Sequence, residues 1–502
     1  MNIVRRTGVV SVLAVGIFFL GLQLHHTPRI FLIGDSTMAD KPLVDNPEHG
    51  WGQMLPMFFS RNIQIFNHAK NGRSTKSFLS EGRWKTVYDQ LQPGDYVFIQ
   101  FGHNDAKQED SMRFAAPRPT YKENLRLFIQ QVREKQAIPI LLTPITRRDF
   151  DSAGNYTGTH GEYPAAMKEV ASEEHVPLID MFEKTKRLVS ALGDESSKPL
   201  YLAGVKPQEF RTWHGKRDNT HFTRPGAIQM ATLAVEGIKE LHLPIEQYLV
   251  RIDTKNLVGV NRVVGLDYYF NNEWRSKKDT VERYHYVWED TTNSGFSLLG
   301  SDIDRLGANL DTLQSAPTDS SLSRLSVYVI VDPDTPAETK NPHYISDEDA
   351  TVIERWVKKG GVLLLMANDK GNCEFEHLNK LSERFGIHFN EDSYHHVTGK
   401  EFDMGKCDQL PSHPIFNGVK KIYLKEICSL MLQQPAEAVL TENGLIWMAV
   451  SHVGKGMVFA VDDPWLYNEY YDARKLPADF ENGKAGKNLF QWLLKNSAIH
   501  LQ

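Results

Sequence analysis

A chain of 502 residues is too long for one hydrophobic core, so two domains are the expectation. Its 41% hydrophobic and 24% charged residues exclude bulk disorder. A net charge of -6 with an isoelectric point near 6.4 leaves no electrostatic footprint for nucleic acid or another polyanion. At the N-terminus, Arg5 and Arg6 precede "GVVSVLAVGIFFLGL", an apolar run that suits a secretory signal and is short for a full membrane span. Polar "QLHHTPR" comes next without a clear small-x-small cleavage site, so residues 1–27 read as a signal peptide or an uncleaved anchor. Either way the body is expected outside the cytoplasm, periplasmic or extracellular, and membrane contact is expected only through this segment.

Residues 28–250 alternate strand and helix. The apolar runs "RIFLIG", "IQIFNHA", "DYVFIQFG", "IPILLTPI" and "VPLIDM" are separated by the helical stretches "TYKENLRLFIQQVREKQ", "EYPAAMKEVASEE" and "PGAIQMATLAVEGIKEL". Pro225 stands where the first turn of the last helix tolerates it. Short apolar strands with intervening helices imply a doubly wound, mainly parallel sheet covered on both faces, a three-layer α/β/α unit. Residues 251–502 repeat the α/β pattern. Their strands are "NRVVGLDYYF", "RLSVYVIVD", "GGVLLLMAND", "GLIWMAVSHV" and "GMVFAVDD", their helices "YISDEDATVIERWVKKG" and "CEFEHLNKLSERFG", and "QSAPTDSSLS" is the most loop-like stretch. Cys373, Cys407 and Cys428 all lie in this half; three cysteines allow at most one disulfide, and none of their spacings is CxxC, which argues against a zinc or redox motif.

In open parallel sheets ligands bind beyond the carboxyl ends of the strands, so the residues just past each strand of the first half are informative. The first strand runs into Gly34-Asp35-Ser36-Thr37, the second into Asn71-Gly72, the third into Gly102-His103-Asn104-Asp105, the fourth into "TPITRR". "RDNTHFTRPGA", with Asp218 and His221, precedes the last helix. A turn or a helix cap accounts for each block singly but not for the collection. A serine hydroxyl needs a base, and imidazole is matched to neutral pH. Asp218, three residues before His221 on a tight turn, can bond the ring Nδ1–H and leave Nε2 for Ser36. Gly72 can present an unobstructed backbone N–H, Asn104 its amide and Ser36 its own N–H to a developing oxyanion. Asp35 is expected to cap a helix or hold the loop, and His103 to be structural or to act behind the site.

The blocks "GDST", "NG", "GHND" and "DNTH" resemble, in order, the four blocks of the SGNH (GDSL-type) hydrolases. "GDSTMA", "FGHNDAK", "LLTPITRR" and "DNTHFTRPGA" are most similar to the rhamnogalacturonan acetylesterases within them. Over residues 28–250 the resemblance implies an SGNH-type sheet with Ser36 as nucleophile, His221 as base, Asp218 as its orienting acid, and Ser36, Gly72 and Asn104 as the oxyanion hole. It also implies no metal and no organic cofactor. The expected substrate is an acetylated pectic oligo- or polysaccharide, whose uronate carboxylates Arg73, Arg147 and Arg148 could meet through bidentate pairs. Two other readings share these residues: the same triad acting on a lipid, aryl or thioester, and a non-catalytic glycan-binding protein.

The second half resembles a flavodoxin/amidotransferase-like domain, the glutamine-amidotransferase-like module, in "YHYVWEDTTNSGFSLLG", "YVIVDPDTP" and "WVKKGGVLLLMANDKGN". Cys373 lacks the GxCxG context of an amidotransferase nucleophile, so amidotransferase activity is not expected. Its strand ends carry Asp332, Asp334, Asn368, Asp369, Asp462 and Asp463. With Trp288, Trp465, Tyr467 and Tyr470 these could form a sugar-binding face, or serve as caps and core aromatics.

Overall fold

The run Ile30–Gly34 (β1) is buried throughout and pairs in parallel with Ile65–Asn67 (β2) on one side and Tyr96–Gln100 (β3) on the other. Ile138–Leu142 (β4) and Leu178–Ile179 (β5) continue the sheet in the order β2-β1-β3-β4-β5, all parallel. The computed structural model describes residues 27–500 except 207–209, 211–212, 216, 278–279 and 473. The expected signal or anchor therefore lies, but for Thr27, outside the described residues.

The period-2 alternation of a strand assigns each side chain to a face. Ile30 and Leu32 join one apolar cluster with the helix Arg224–Glu240, through Ala227, Met230, Ala231 and Ala234. Phe31 and Ile33 join another with the helix Lys122–Glu134, through Leu125, Phe128, Ile129 and Val132, and with Tyr163–Glu173. The result is the expected three-layer α/β/α arrangement. Pro139 sits in β4 opposite Val97. Met181–Ser197, a helix not foreseen in sequence, contains Gly193 at φ 76°, and this break obscures its periodicity.

The second half builds a nine-stranded mixed sheet. Five of its strands are parallel, in the order 309–313, 263–267, 327–331, 362–366, 456–461. Numbered in chain order this is 2-1-3-4-5, the order of the first sheet. Leu445–Val453 pairs antiparallel with Gly456–Val461 and carries the remaining, antiparallel strands onward. The edge strand Asn309–Leu313 escaped the sequence reading because Asn309, Asp311 and Thr312 break its apolar run. "QSAPTDSSLS" is not all loop: Thr318 and Ser321 form a reciprocal capping box that starts the short helix Asp319–Ser323.

Trp288 and Trp465 are 2% and 0% exposed and Tyr470 is buried, so these belong to cores and cannot form the sugar-binding face considered above. Cys373, Cys407 and Cys428 are buried free thiols. The two halves meet directly. Leu43 and Val44 of the first half pack on a core of the second, and Val44 forms an isolated parallel bridge with Leu310.

Candidate active site

The turn after β1 is shaped by its own acid. Asp35 is fully buried, and its carboxylate accepts the N–H of Thr37 and the Thr37 hydroxyl, both at 2.9 Å. Its other oxygen lies 3.2 Å from Nδ1 of His103. Burial alone would raise this acid; the neighbouring His103 and the Thr37 donors outweigh it and hold Asp35 below the ordinary carboxylate range. Asp35 thus holds the loop, and His103 stands behind it. Gln100, the last residue of β3, receives the indole N–H of Trp51 at 2.8 Å and lies 3.4 Å from the Thr37 hydroxyl, bracing the same turn. A lone glutamine inside "YVFIQFG" was the available sequence signal for that role.

From this turn Ser36 presents its hydroxyl 2.8 Å from Nε2 of His221. On the far side of the ring, Nδ1 is 2.8 Å from Oδ2 of Asp218. Oδ1 of Asp218 accepts the N–H groups of Thr220 and His221 at 2.9 and 3.0 Å, so one carboxylate folds the loop and orients the imidazole. Burial would raise Asp218, but the hydrogen bond and charge of His221 and the two backbone N–H groups bring it down to about 2. Two backbone bonds staple the loop to the segment before it: Leu202 N–H to the His221 carbonyl (3.0 Å) and Ala203 N–H to that of Asp218 (2.8 Å).

Gly72 has φ 76°, in the left-handed region that favours glycine. The Asn71 side chain beside it accepts from Nζ of Lys41 at 2.6 Å, and that buried lysine also pairs with Glu48. Asn104 donates one amide N–H to the carbonyl of Arg73 at 3.0 Å, which fixes the amide against the Gly72 turn and leaves its second N–H. Hydrogen bonds therefore pass from loop to loop around the sheet edge, and the blocks after β1, β2 and β3 and before the last helix converge there.

The three arginines separate. Arg73 bonds Glu81 (3.0 Å) and the Asn71 carbonyl (2.8 Å) at the surface. Arg147 is half-buried, with one guanidinium nitrogen 3.5 Å from the carbonyl of His103. Arg148 departs from the expectation of a carboxylate reader. It is 2% exposed, ion-paired with Asp194, and bonded to Ser197 (3.1 Å) and to the Asn219 side chain (2.9 Å), with its N–H on the Asn219 carbonyl (2.8 Å). Burial turns it inward, where it supports the loop of Asp218. Sequence reasoning also missed Lys41 and Gln100, polar residues that touch the site only through their partners.

Two groups among the described residues bring potential metal-ligand atoms within 4.8 Å of one another: His395, Cys407 and Glu442, and Glu374, Glu376 and His377. Neither shares a residue with the Ser36 constellation.

Residues 32–226 match the GDSL-like Lipase/Acylhydrolase family. Over 231 residues the chain is 44% identical to rhamnogalacturonan acetylesterase RhgT of Bacillus subtilis (strain 168), covering 46% of this chain and 97% of that protein. Over 223 residues it is 38% identical to the probable rhamnogalacturonan acetylesterase YesY of the same organism, covering 44% and 98%. The crystal structure of protein YxiM from Bacillus subtilis is 31% identical and covers 43% of this chain and 58% of that one, with a TM-score of 0.38.

Proposed function

The chain belongs to the GDSL-like lipase/acylhydrolase family, and from that premise we propose that it removes acetyl groups from pectic rhamnogalacturonan, with Ser36, His221 and Asp218 as its catalytic relay. The observation that carries the assignment of residues is the pair of 2.8 Å contacts at the two nitrogens of His221. The substrate class rests on the relatives, RhgT and YesY, which the chain matches over nearly their whole length.

In this mechanism Nε2 of His221 takes the Ser36 proton as Oγ bonds to the acetyl carbonyl carbon. The electron pair displaced onto the carbonyl oxygen is met by the N–H groups of Ser36 and Gly72 and the free amide N–H of Asn104. Asp218, ionised across the working range, keeps Nδ1 protonated and stabilises the imidazolium. Collapse breaks the bond to the sugar oxygen, which leaves as a hydroxyl with the proton from His221. Water, deprotonated by His221, then attacks the acetyl-Ser36 ester, and acetate departs as the Ser36 hydroxyl is restored. Arg147, half-buried beside the His103 carbonyl, is the arginine best placed to meet a uronate carboxylate.

Export through the N-terminal segment fits a polymeric substrate. For residues 251–502, the 2-1-3-4-5 order of the parallel strands supports a flavodoxin/amidotransferase-like unit. Amidotransferase chemistry is not part of the proposal: burial pushes the Cys373 thiol well above its ordinary range, which disfavours a thiolate. Acetate release from acetylated rhamnogalacturonan, xylan and homogalacturonan tests the reading. Release is expected from the first and should be abolished by Ser36→Ala; full activity of that variant overturns the assignment.

A further inference from the structure

The relay lies wholly in the first half, yet the loop that carries His221 is gripped from the second. Asp304, on the helix Ser297–Arg305, is 1% exposed, and its Oδ1 faces three nitrogens from the first half: His49 Nε2 at 3.0 Å, Arg224 Nε, which donates to it at 2.9 Å, and Arg224 Nη2 in ion-pair contact at 2.8 Å. Both partners border the catalytic histidine. The N–H of His49 donates to the carbonyl of Phe222, the residue after His221, at 2.9 Å. Arg224, three residues after His221, opens the helix Arg224–Glu240. The rest of the Arg224 guanidinium also bonds the second half, at the carbonyls of Gly307 (2.8 Å) and Ala308 (3.1 Å) and at Oδ1 of Asn309 (2.9 Å).

We propose that Asp304 is a positioning residue of the esterase: its buried carboxylate draws His49 and Arg224 together around the loop Asp218–Arg224 and so holds the His221 ring at the Ser36 hydroxyl. The inference rests on the esterase reading above, and it gives the second half a part in catalysis without contact with substrate. A relay tolerates little misplacement, since displacements of about 1 Å from a distant change can cost on the order of 100-fold in rate. A buried carboxylate paired with a guanidinium is a stiff support, because removing its charge leaves the largely buried Arg224 without its counter-ion at the interface.

A matched control lies on the same helix. Asp302 also crosses between the halves, to Arg61, and bonds the hydroxyl of Tyr471 at 2.7 Å. Neither partner adjoins Ser36, Asp218 or His221 in the chain. Asp302→Asn and Asp304→Asn therefore remove the same charge from the same interface, and only the second reaches the histidine loop.

The test uses full-length protein, 4-nitrophenyl acetate as substrate, a fluorophosphonate probe of Ser36, and thermal melting. Asp304→Asn is expected to lower kcat at least tenfold with KM changed less than twofold, and to slow fluorophosphonate labelling in proportion. Asp302→Asn, with a comparable loss in melting temperature, should keep kcat within twofold. Should Asp304→Asn fail to fold, His49→Ala, which keeps the backbone bond to Phe222 and removes one arm of the clamp, should lower kcat severalfold. Wild-type kcat in Asp304→Asn, or in His49→Ala where that variant stands in, overturns the proposal. So do losses of kcat that follow melting temperature equally in the Asp302 and Asp304 variants. Failure of the esterase reading looks different: wild-type protein would then be inert to both the ester and the probe.

Discussion

Asp105 accepts the backbone N–H of Thr75 at 3.0 Å and its hydroxyl at 2.5 Å, both on Oδ1, and so fastens the turn that carries Asn104 to the helix just past Gly72. Its other oxygen is buried and unpartnered among the described residues. Burial pushes this acid up to about 7, with the Thr75 donors opposing and Asp35 adding to the rise.

A pH dependence of stability comes from that carboxyl. An unfolded chain releases the proton near pH 4, the folded protein near 7, so between these values the folded state binds more protons. The associated stability is complete below about pH 4 and is lost as pH rises through 7, a change of up to about 4 kcal/mol at roughly 1.4 kcal/mol per unit. Asp105→Asn can keep both Thr75 donors on Oδ1 while removing the buried charge. Urea unfolding at pH 4, 6 and 8 should show the variant gaining on wild type as pH rises; a difference that does not change with pH contradicts the assignment.

Much of this was legible in the sequence. The five apolar runs of the first half are its five strands, because strands covered on both faces need continuous apolar side chains. Three of the four polar blocks stand at strand ends and the fourth just before a helix, because an open parallel sheet places its site at the carboxyl edge of the strands. What escaped notice depends on partners distant in sequence. Nothing in the surroundings of Asp304 distinguishes it from any helical surface acid until Arg224 and His49, 80 and 255 residues away, are brought to it. Arg148 misled for the same reason: an arginine beside another at a strand end has the look of a ligand reader, and only packing against Asp194 and Ser197 shows that its donors are already engaged.

Asp218→Asn separates the two tasks of that carboxylate. Oδ1 of the amide can still accept from Thr220 and His221, so the loop keeps its shape. The amide nitrogen, however, replaces the oxygen that faces Nδ1, and an N–H there favours the tautomer with its proton on Nε2, which cannot take one from Ser36. A drop in kcat of about 100- to 10,000-fold with a nearly unchanged melting temperature is the expected outcome. Steady-state kinetics with circular dichroism checks it, and activity within tenfold of wild type counts against Asp218 as the orienting acid.

Gly72→Ala isolates a backbone effect. A Cβ built at this position would meet only Nη1 of Arg113, at an ordinary 3.6 Å, so space is available. The cost lies in φ 76°, about 1–2 kcal/mol for a residue with a side chain. The turn can keep its shape at lower stability or relax by shifting its N–H away from the oxyanion. The second route is expected, as a lowered kcat with KM preserved in steady-state kinetics; a turn that has shifted, seen as a changed Thr75–Asp105 contact, with unchanged kcat removes Gly72 from the oxyanion hole.

Arg147 and Arg148, neighbours in sequence, should behave oppositely. Arg148→Ala empties a site where the guanidinium is 2% exposed and bonded to Asp194, Ser197 and Asn219, so stability should fall by about 2–3 kcal/mol. Because Asn219 adjoins Asp218, this variant should also lose kcat on any ester, charged or neutral. Arg147→Ala removes a half-buried side chain whose one hydrogen bond among the described residues is long, 3.5 Å, and stability should stay within about 0.5 kcal/mol of wild type. Its effect should be confined to KM, rising severalfold for acetylated rhamnogalacturonan, which carries uronate carboxylates, and staying level for 4-nitrophenyl acetate, which carries none. Equal KM changes on the two substrates would leave Arg147 without a role in reading charge, and a larger stability loss than that of Arg148→Ala would reverse the burial-based ranking of the pair.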